Sequence, residues 1–134
     1  MDIIELDGSP WSYMEASLLC RELYEFGAMW QGSFWETEIL LSSNPLARKH
    51  RTRTDGPMFW PTVKPKLWQW LEPIPRAWKP RVCEEGDRVQ VLFYTYSGHV
   101  RQYIFKHFDV FKKGGGQLEF NETEIAEGPD GFRF

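Results

Sequence analysis

The first regular pattern in the chain is an amphipathic helix that begins near Ser9 and Pro10. Serine is a preferred N-cap and proline is favoured at the first helical position. Gly27 is typical of the residue that follows a helix C-terminus. At 100° per residue, one side of the helix is apolar and is expected to face the core. The members of this side are Tyr13, Ala16, Leu19, Cys20, Leu23 and Phe26.

A second apolar stripe follows the charged side of the same helix. Trp11, Met14 and Leu18 are spaced i, i+3 and i+7 and lie among acidic and basic residues. Large apolar side chains exposed along a charged face invite association. We therefore expect this stripe to be buried against something other than the main core, and we interpret it as an apolar anchor for a partner.

Strand patterns dominate the second half of the chain, after a shorter strand-like stretch within residues 28–41. Residues 88–96, 100–111 and 117–120 have the composition of strands and are separated by glycine-containing turns, which predicts an antiparallel meander. A two-residue turn at Ser97 and Gly98 would pair Tyr96 with His99. One face would then hold Val89, Val91, Phe93, Val100 and Ile104, and the other Leu92, Tyr94, Tyr96, Tyr103 and Phe105. Because both faces are apolar, we expect the helix to cover one of them.

Residues 57–80 form the most unusual stretch, with six of the nine prolines and four of the seven tryptophans. This density of proline excludes a helix or a central strand and predicts an extended segment, with a short strand over 67–71. We expect this segment to cover the second face of the sheet. Alternatively, a partner covers that face. Trp60, Trp68 and Trp70 are candidates for stacking on a ligand, and filling the core is the alternative interpretation.

These elements predict one α+β domain over residues 1–134, with an N-terminal helix packed on a curved antiparallel sheet. With 42% apolar residues and 16% aromatic residues, the composition excludes a disordered or collagen-like chain. No apolar run is long enough to span a membrane and the N-terminus does not resemble a signal peptide, so we expect a cytoplasmic protein with no membrane contact.

Charge is unevenly distributed along the chain, whose net charge is −3. Arg48, Lys49, Arg51 and Arg53 place four positive charges within six residues of a predicted basic loop, residues 42–56. A solvated loop and a contact for an acidic protein surface are both consistent with this run. Together with Trp60, the run could also bind single-stranded nucleic acid through phosphates and base stacking.

Candidate catalytic chemistry is sparse. His107 and Asp109 lie two apart on a predicted strand and would therefore face the same way, which is weak evidence for a metal or acid–base site. No nucleophile, zinc-binding, phosphate-binding or dinucleotide motif is present. The sequence therefore predicts no catalytic residue, no metal site and no cofactor, and it favours a protein without enzymatic activity.

These observations predict a non-catalytic binding or regulatory module that engages a protein partner or a second copy of the chain. The contact residues would be Trp11, Met14 and Leu18, together with Arg48, Lys49, Arg51 and Arg53. Weak binding of single-stranded nucleic acid is the second hypothesis. A small-molecule-binding protein or enzyme with an aromatic pocket is the third.

Overall fold

The computed structural model describes residues 7–26, 38–47, 64–114 and 117–131. Within these ranges it has an α-helix, α1 (Pro10–Phe26), and a short 3-10 helix (Pro65–Leu67). Its strands are β1 (Glu38–Leu41), β2 (Gln69–Trp70), β3 (Arg81–Glu85), β4 (Arg88–Ser97), β5 (Arg101–Lys112) and β6 (Gln117–Asp130). The predicted α+β class, a single domain with an N-terminal helix and an antiparallel sheet, is confirmed. In the described part of the chain no helix is long and apolar enough to cross a membrane.

The strands form one antiparallel sheet in the order β1-β4-β5-β6-β2. β3 also pairs with β4, along residues 88–92, next to the place where β1 pairs along residues 94–97. The chain between β2 and β3 therefore starts beside β6 and ends beside β4. It crosses the width of the sheet on one face, as expected for the proline- and tryptophan-rich segment.

Helix α1 begins as the sequence predicts. The Ser9 hydroxyl oxygen accepts a hydrogen bond from the Ser12 amide at 3.2 Å, and the Ser12 hydroxyl donates to the Ser9 carbonyl at 2.8 Å. Asp7 extends the cap, because one of its carboxylate oxygens accepts from the Ser9 amide at 2.7 Å. These bonds satisfy polar groups that a helix N-terminus leaves without intrahelical partners.

The rotation of α1 differs from the prediction. Tyr13, Ala16 and Cys20 are buried as expected, but Leu19 is exposed. The side chains of Leu23 and Phe26 lie outside the described residues. Met14 is buried in the core with Leu18 packed against it, so the expectation that this stripe lies apart from the main core is wrong. The buried arc is centred near Ser17, because the helix turns Arg21 toward a carboxylate on the sheet.

The sheet has a core on each face. On the helix face, side chains of α1 pack against side chains of the sheet. The α1 residues are Tyr13, Met14 and Ala16, and the sheet residues are Val89, Val91, Phe93 and Phe111. The opposite face, called the tryptophan face below, holds Leu41, Leu46, Trp68, Trp78, Tyr94, Tyr96, Ile104, Ile125 and Ala126. Residues 64–80 contribute the buried indoles of this second cluster. The expectation that the helix covers one face and this segment the other is confirmed.

The predicted pairing of β4 with β5 is wrong. Tyr96 pairs with Ile104 rather than with His99, because the connection after Ser97 is longer than two residues and passes through Val100 at a φ of 62°. The difference is five positions, an odd number, so every residue of β5 moves to the other face. Ile104 therefore joins Tyr96 on the tryptophan face, whereas Tyr103 and Phe105 share the helix face with Phe93.

Candidate functional site: a buried polar cluster

A cluster of polar and charged side chains interrupts the apolar helix face. Its members come from α1 and from four strands: Arg21, Glu38, Thr95, His107, Asp109 and Glu122. Strand pairing explains the convergence, because His107 is directly opposite Phe93 on β4 and Glu122 on β6. His107 and Asp109 have no solvent-exposed surface. Buried groups of this kind destabilise a fold unless they are hydrogen-bonded or paired.

Arg21 and Asp109 form a two-pronged ion pair that joins α1 to β5. The guanidinium donates to the two carboxylate oxygens over 2.5 and 2.8 Å, and it also donates to the Ser17 carbonyl at 2.9 Å. The same guanidinium lies over the rings of Phe93 and Phe120, 5.0 and 5.1 Å from their centroids. These contacts fix both side chains in one geometry.

Glu38, Thr95 and His107 form a chain of short contacts across three strands. The Thr95 hydroxyl donates to Glu38 Oε2 at 2.5 Å, and the same hydroxyl oxygen lies 2.7 Å from His107 Nε2. The carboxylate and the imidazole are themselves 3.7 Å apart at Oε2 and Nε2. The hydroxyl therefore stands between an acid and a base.

The other imidazole nitrogen faces β6. His107 Nδ1 is 3.4 Å from Glu122 Oε2, and the Glu122 side chain is 50% exposed. The imidazole ring is stacked on Phe93, with centroids 4.6 Å apart and planes inclined by 13°. This stacking holds the ring edge-on between Thr95 and Glu122, so the cluster runs from a half-exposed carboxyl to a buried one.

Burial shifts the pKa values of Glu38, His107 and Glu122. Desolvation raises the pKa of Glu38 to about 7, against the opposing effects of the Thr95 hydrogen bond and the Arg21 charge. Desolvation and the Arg21 charge lower the pKa of His107 to about 4. Desolvation and the Glu38 charge raise the pKa of Glu122, while His107 lowers it. At neutral pH, therefore, the imidazole is uncharged and Glu38 exchanges its proton readily.

The chemistry available to this cluster is proton exchange. A carboxyl group with a pKa near 7 can give and accept protons at physiological pH, which is the property of a general acid or base. Among the residues that the structure describes, no group of three or more metal-binding side chains has an arrangement suited to a metal ion.

The structure describes three of the contact residues predicted from the sequence. The Trp11 side chain is 71% exposed at the start of α1, whereas Met14 is buried and Leu18 is half-buried. Arg48, Lys49, Arg51, Arg53 and Trp60 lie outside the described residues. Trp68 is buried in the tryptophan face and Trp70 packs against it, so both contribute to the core rather than to an open platform.

Sequence reasoning placed His107 and Asp109 on one strand face but missed their partners. Arg21 is an ordinary charged position of an amphipathic helix, and Glu38 and Thr95 are separated by 57 residues. The available signal was a polar pair inside an otherwise apolar strand, since such a pair needs counterparts on the neighbouring strands. Naming those counterparts requires the strand order and register.

A second notable surface lies on the outside of residues 64–81. Leu67, Leu71 and Ile74 are 51%, 47% and 51% exposed. Exposed cations occur on both sides of them along the chain: Lys64, Lys66, Arg76, Lys79 and Arg81. We call these eight residues the outer surface of the covering segment. They were not singled out from the sequence.

Comparison of this chain with known protein families, curated proteins and solved structures finds no significant match.

Proposed function

We propose that this protein is a non-catalytic binding module whose partner is a protein segment that carries both apolar and acidic side chains. The contact would be the outer surface of the covering segment. The observation that carries the proposal is the division of this segment into inward-facing indoles and outward-facing aliphatic side chains among cations. Exposed apolar clusters rimmed by polar groups are typical of interaction sites.

The covering segment is firmly attached to the sheet, which favours binding. The Trp78 ring lies 5.1 Å from Tyr94 and 6.3 Å from Trp70, measured between centroids. Glu72 forms an ion pair with Lys106 at the middle of β5. The Leu71 amide donates to the Ile125 carbonyl at 2.9 Å. Because the backbone is already held in place, a partner would bind without the cost of ordering it.

Charge favours an acidic partner. Residues 64–81 contain five basic residues and one acidic residue, a balance of +4, while the whole chain carries −3. A basic surface attracts acidic segments and disfavours contact with the same basic surface of a second copy. The exposed apolar residues are aliphatic rather than aromatic, so they suit a protein surface better than the base stacking that single-stranded nucleic acid requires.

Selection from a random peptide library on the immobilised full chain tests this proposal. The selected peptides should be enriched in Leu, Ile or Phe together with Asp and Glu. Fluorescence anisotropy with one labelled selected peptide should then show at least about tenfold weaker binding to Leu71→Ser and Ile74→Ser, since each removes about 1.4 kcal/mol or more of apolar contact. Arg76→Glu should weaken binding further and reduce its dependence on salt.

Trp11→Ser is the control, because it removes an even more exposed apolar side chain from the helix side of the sheet. We expect this variant to bind the peptide like the wild type. Selected peptides without acidic residues would contradict the proposal. So would binding that is lost in Trp11→Ser and kept in Leu71→Ser, or a labelled single-stranded oligonucleotide that binds more tightly than any peptide.

A further inference from the structure

We propose that Glu122, His107, Thr95 and Glu38 form a proton relay that holds one shared proton and moves it between the half-exposed and the buried carboxyl groups. The relay lies on the helix face, away from the covering segment, and does not depend on the proposed binding function. Its residues lie on four neighbouring strands: Glu38 on β1, Thr95 on β4, His107 on β5 and Glu122 on β6.

Counting hydrogens leads to the shared proton. The relay has two hydrogen-bond contacts, Glu38 to Thr95 at 2.5 Å and Thr95 to His107 Nε2 at 2.7 Å, and one ion-pair contact, His107 Nδ1 to Glu122 at 3.4 Å. The last contact is longer than a hydrogen bond, so the half-exposed Glu122 carboxyl group must approach Nδ1 for a proton to pass. Each contact needs one hydrogen between its two heavy atoms. The Thr95 hydroxyl supplies one and a neutral imidazole supplies one. The third is one additional proton, held by one of the two carboxyl groups or, as an imidazolium, by His107.

Two arrangements with a neutral imidazole satisfy all three contacts. In the first, protonated Glu38 donates to Thr95, Thr95 donates to His107 Nε2, and His107 Nδ1–H donates to ionised Glu122. In the second, protonated Glu122 donates to His107 Nδ1, His107 Nε2–H donates to Thr95, and Thr95 donates to ionised Glu38. Passing from the first to the second breaks one bond to hydrogen and forms one at each link. The net result is one proton moved from Glu38 to Glu122, with no change in total charge.

The surrounding groups favour this arrangement over an imidazolium. Arg21 faces the cluster from α1, and its positive charge disfavours a second cation at His107. Asp109 on β5 favours a cation but is already held by Arg21 over 2.5 and 2.8 Å. From β4, Phe93 offers only its ring face. The proton therefore resides on the carboxyl groups, and the imidazole carries it between them.

The relay gives a buried carboxyl group access to solvent protons. Glu122 is 50% exposed, whereas Glu38 is 10% exposed at its side chain. A basic group that reaches Glu38 can thus be protonated there, and Glu38 recovers its proton through His107 from Glu122 and the solvent. This property would suit a molecule with a weakly basic nitrogen or oxygen.

Nitrogen NMR of the full chain, labelled with ¹⁵N at histidine, tests the relay. Long-range ¹H–¹⁵N spectra report which imidazole nitrogen carries the hydrogen. In the wild type and in Thr95→Ser, both His107 nitrogens should show averaged shifts between about pH 5 and 7, because in this range the shared proton is present and the ring stays neutral. In Thr95→Val the averaging should be lost, since no hydroxyl faces Nε2, and the Nδ1–H tautomer should remain. His99 is the internal control and should be unchanged in all variants.

Glu122→Gln provides a second, independent variant at a half-exposed position. Without an ionisable group at Glu122, the proton cannot leave Glu38 by this path, and the His107 shifts should again become those of one tautomer. Doubly protonated His107 at pH 7 would overturn the relay. So would a single tautomer in the wild type, or averaged shifts that persist in Thr95→Val or Glu122→Gln.

Discussion

The two faces of the sheet are stabilised in different ways. The tryptophan face is an apolar layer in which Trp68, Trp78 and their neighbours bury large ring surfaces. The helix face combines apolar packing with polar groups: Asp109 and His107 are fully buried on β5, and the Arg21 side chain of α1, 12% exposed, pairs with Asp109. An apolar layer stabilises by burying area and tolerates approximate packing. A buried charged network is stable only when every member keeps its partner.

The helix face departs from the rule that a protein core is built from apolar side chains. Well-packed apolar side chains in place of a buried ion pair are often neutral or stabilising, so stability alone does not explain Arg21 and Asp109. Departures of this kind are concentrated at functional sites. The helix face therefore carries the proton-exchanging groups, and the tryptophan face supplies the rigid support for the covering segment.

The largest effect is expected from Asp109→Asn. The substitution leaves the Arg21 guanidinium buried without its carboxylate, and loss of one partner of a buried pair lowers the free energy of unfolding by about 4 kcal/mol. Urea unfolding at neutral pH measures this loss. Glu127→Gln is the control, because it breaks the more exposed Arg101–Glu127 pair at 2.8 Å and should lower the free energy by less than about 1 kcal/mol. Similar losses in both variants would show that the buried pair is not special.

A second prediction concerns the pH dependence of stability. The pKa of Glu38 is raised from 4.5 to about 7 in the folded state, so the folded protein binds more protons than the unfolded chain between these values. Its contribution to stability is present below pH 4.5 and is lost as the pH rises through 7. The pKa of His107 is lowered from 6.5 to about 4, so its contribution has the opposite sign and grows as the pH rises from 4 to 6.5.

The two contributions should nearly cancel in the wild type between about pH 4.5 and 6.5. Glu38→Gln removes one of them. Relative to this variant, the wild type should lose about 3 kcal/mol of unfolding free energy between pH 4.5 and 7, which follows from the shift of the Glu38 pKa. Urea unfolding at intervals across this range provides the difference curve. A flat difference curve would mean that Glu38 titrates as an exposed carboxyl does.

The smallest effect is expected on the tryptophan face, from Gly128→Ala. A Cβ at this position would lie 2.7, 2.7 and 2.8 Å from Cε2, Cζ2 and Cη2 of the buried Trp68 indole. Overpacking of this kind should lower the free energy of unfolding by about 2 kcal/mol. Trp68→Phe removes the outer ring that carries these atoms, so in that background the same substitution should cost at least about 1 kcal/mol less. Equal costs in both backgrounds would show that Trp68 is not what Gly128 accommodates.

Several features were predictable from local sequence. The start of α1 follows from Ser9 and Pro10, because capping involves only neighbouring residues. The covering segment follows from its prolines, which prevent helix and central strand alike. The two apolar faces of β4 follow from the alternation of its side chains, a property of any extended strand. The α+β class with a sheet covered on both faces could therefore be predicted without knowledge of any contact.

Tertiary structure alone decided the register and, through it, the polar cluster. The turn after Ser97 passes through Val100 at a positive φ, a conformation that a valine does not suggest. Its length fixes the parity of β5, and that parity brings His107 opposite Phe93 instead of onto the tryptophan face. The rotation of α1 then depends on Arg21 reaching Asp109, 88 residues away. The strand register and the helix rotation depend on interactions between residues that are distant in the chain. A local sequence pattern carries no information about these interactions.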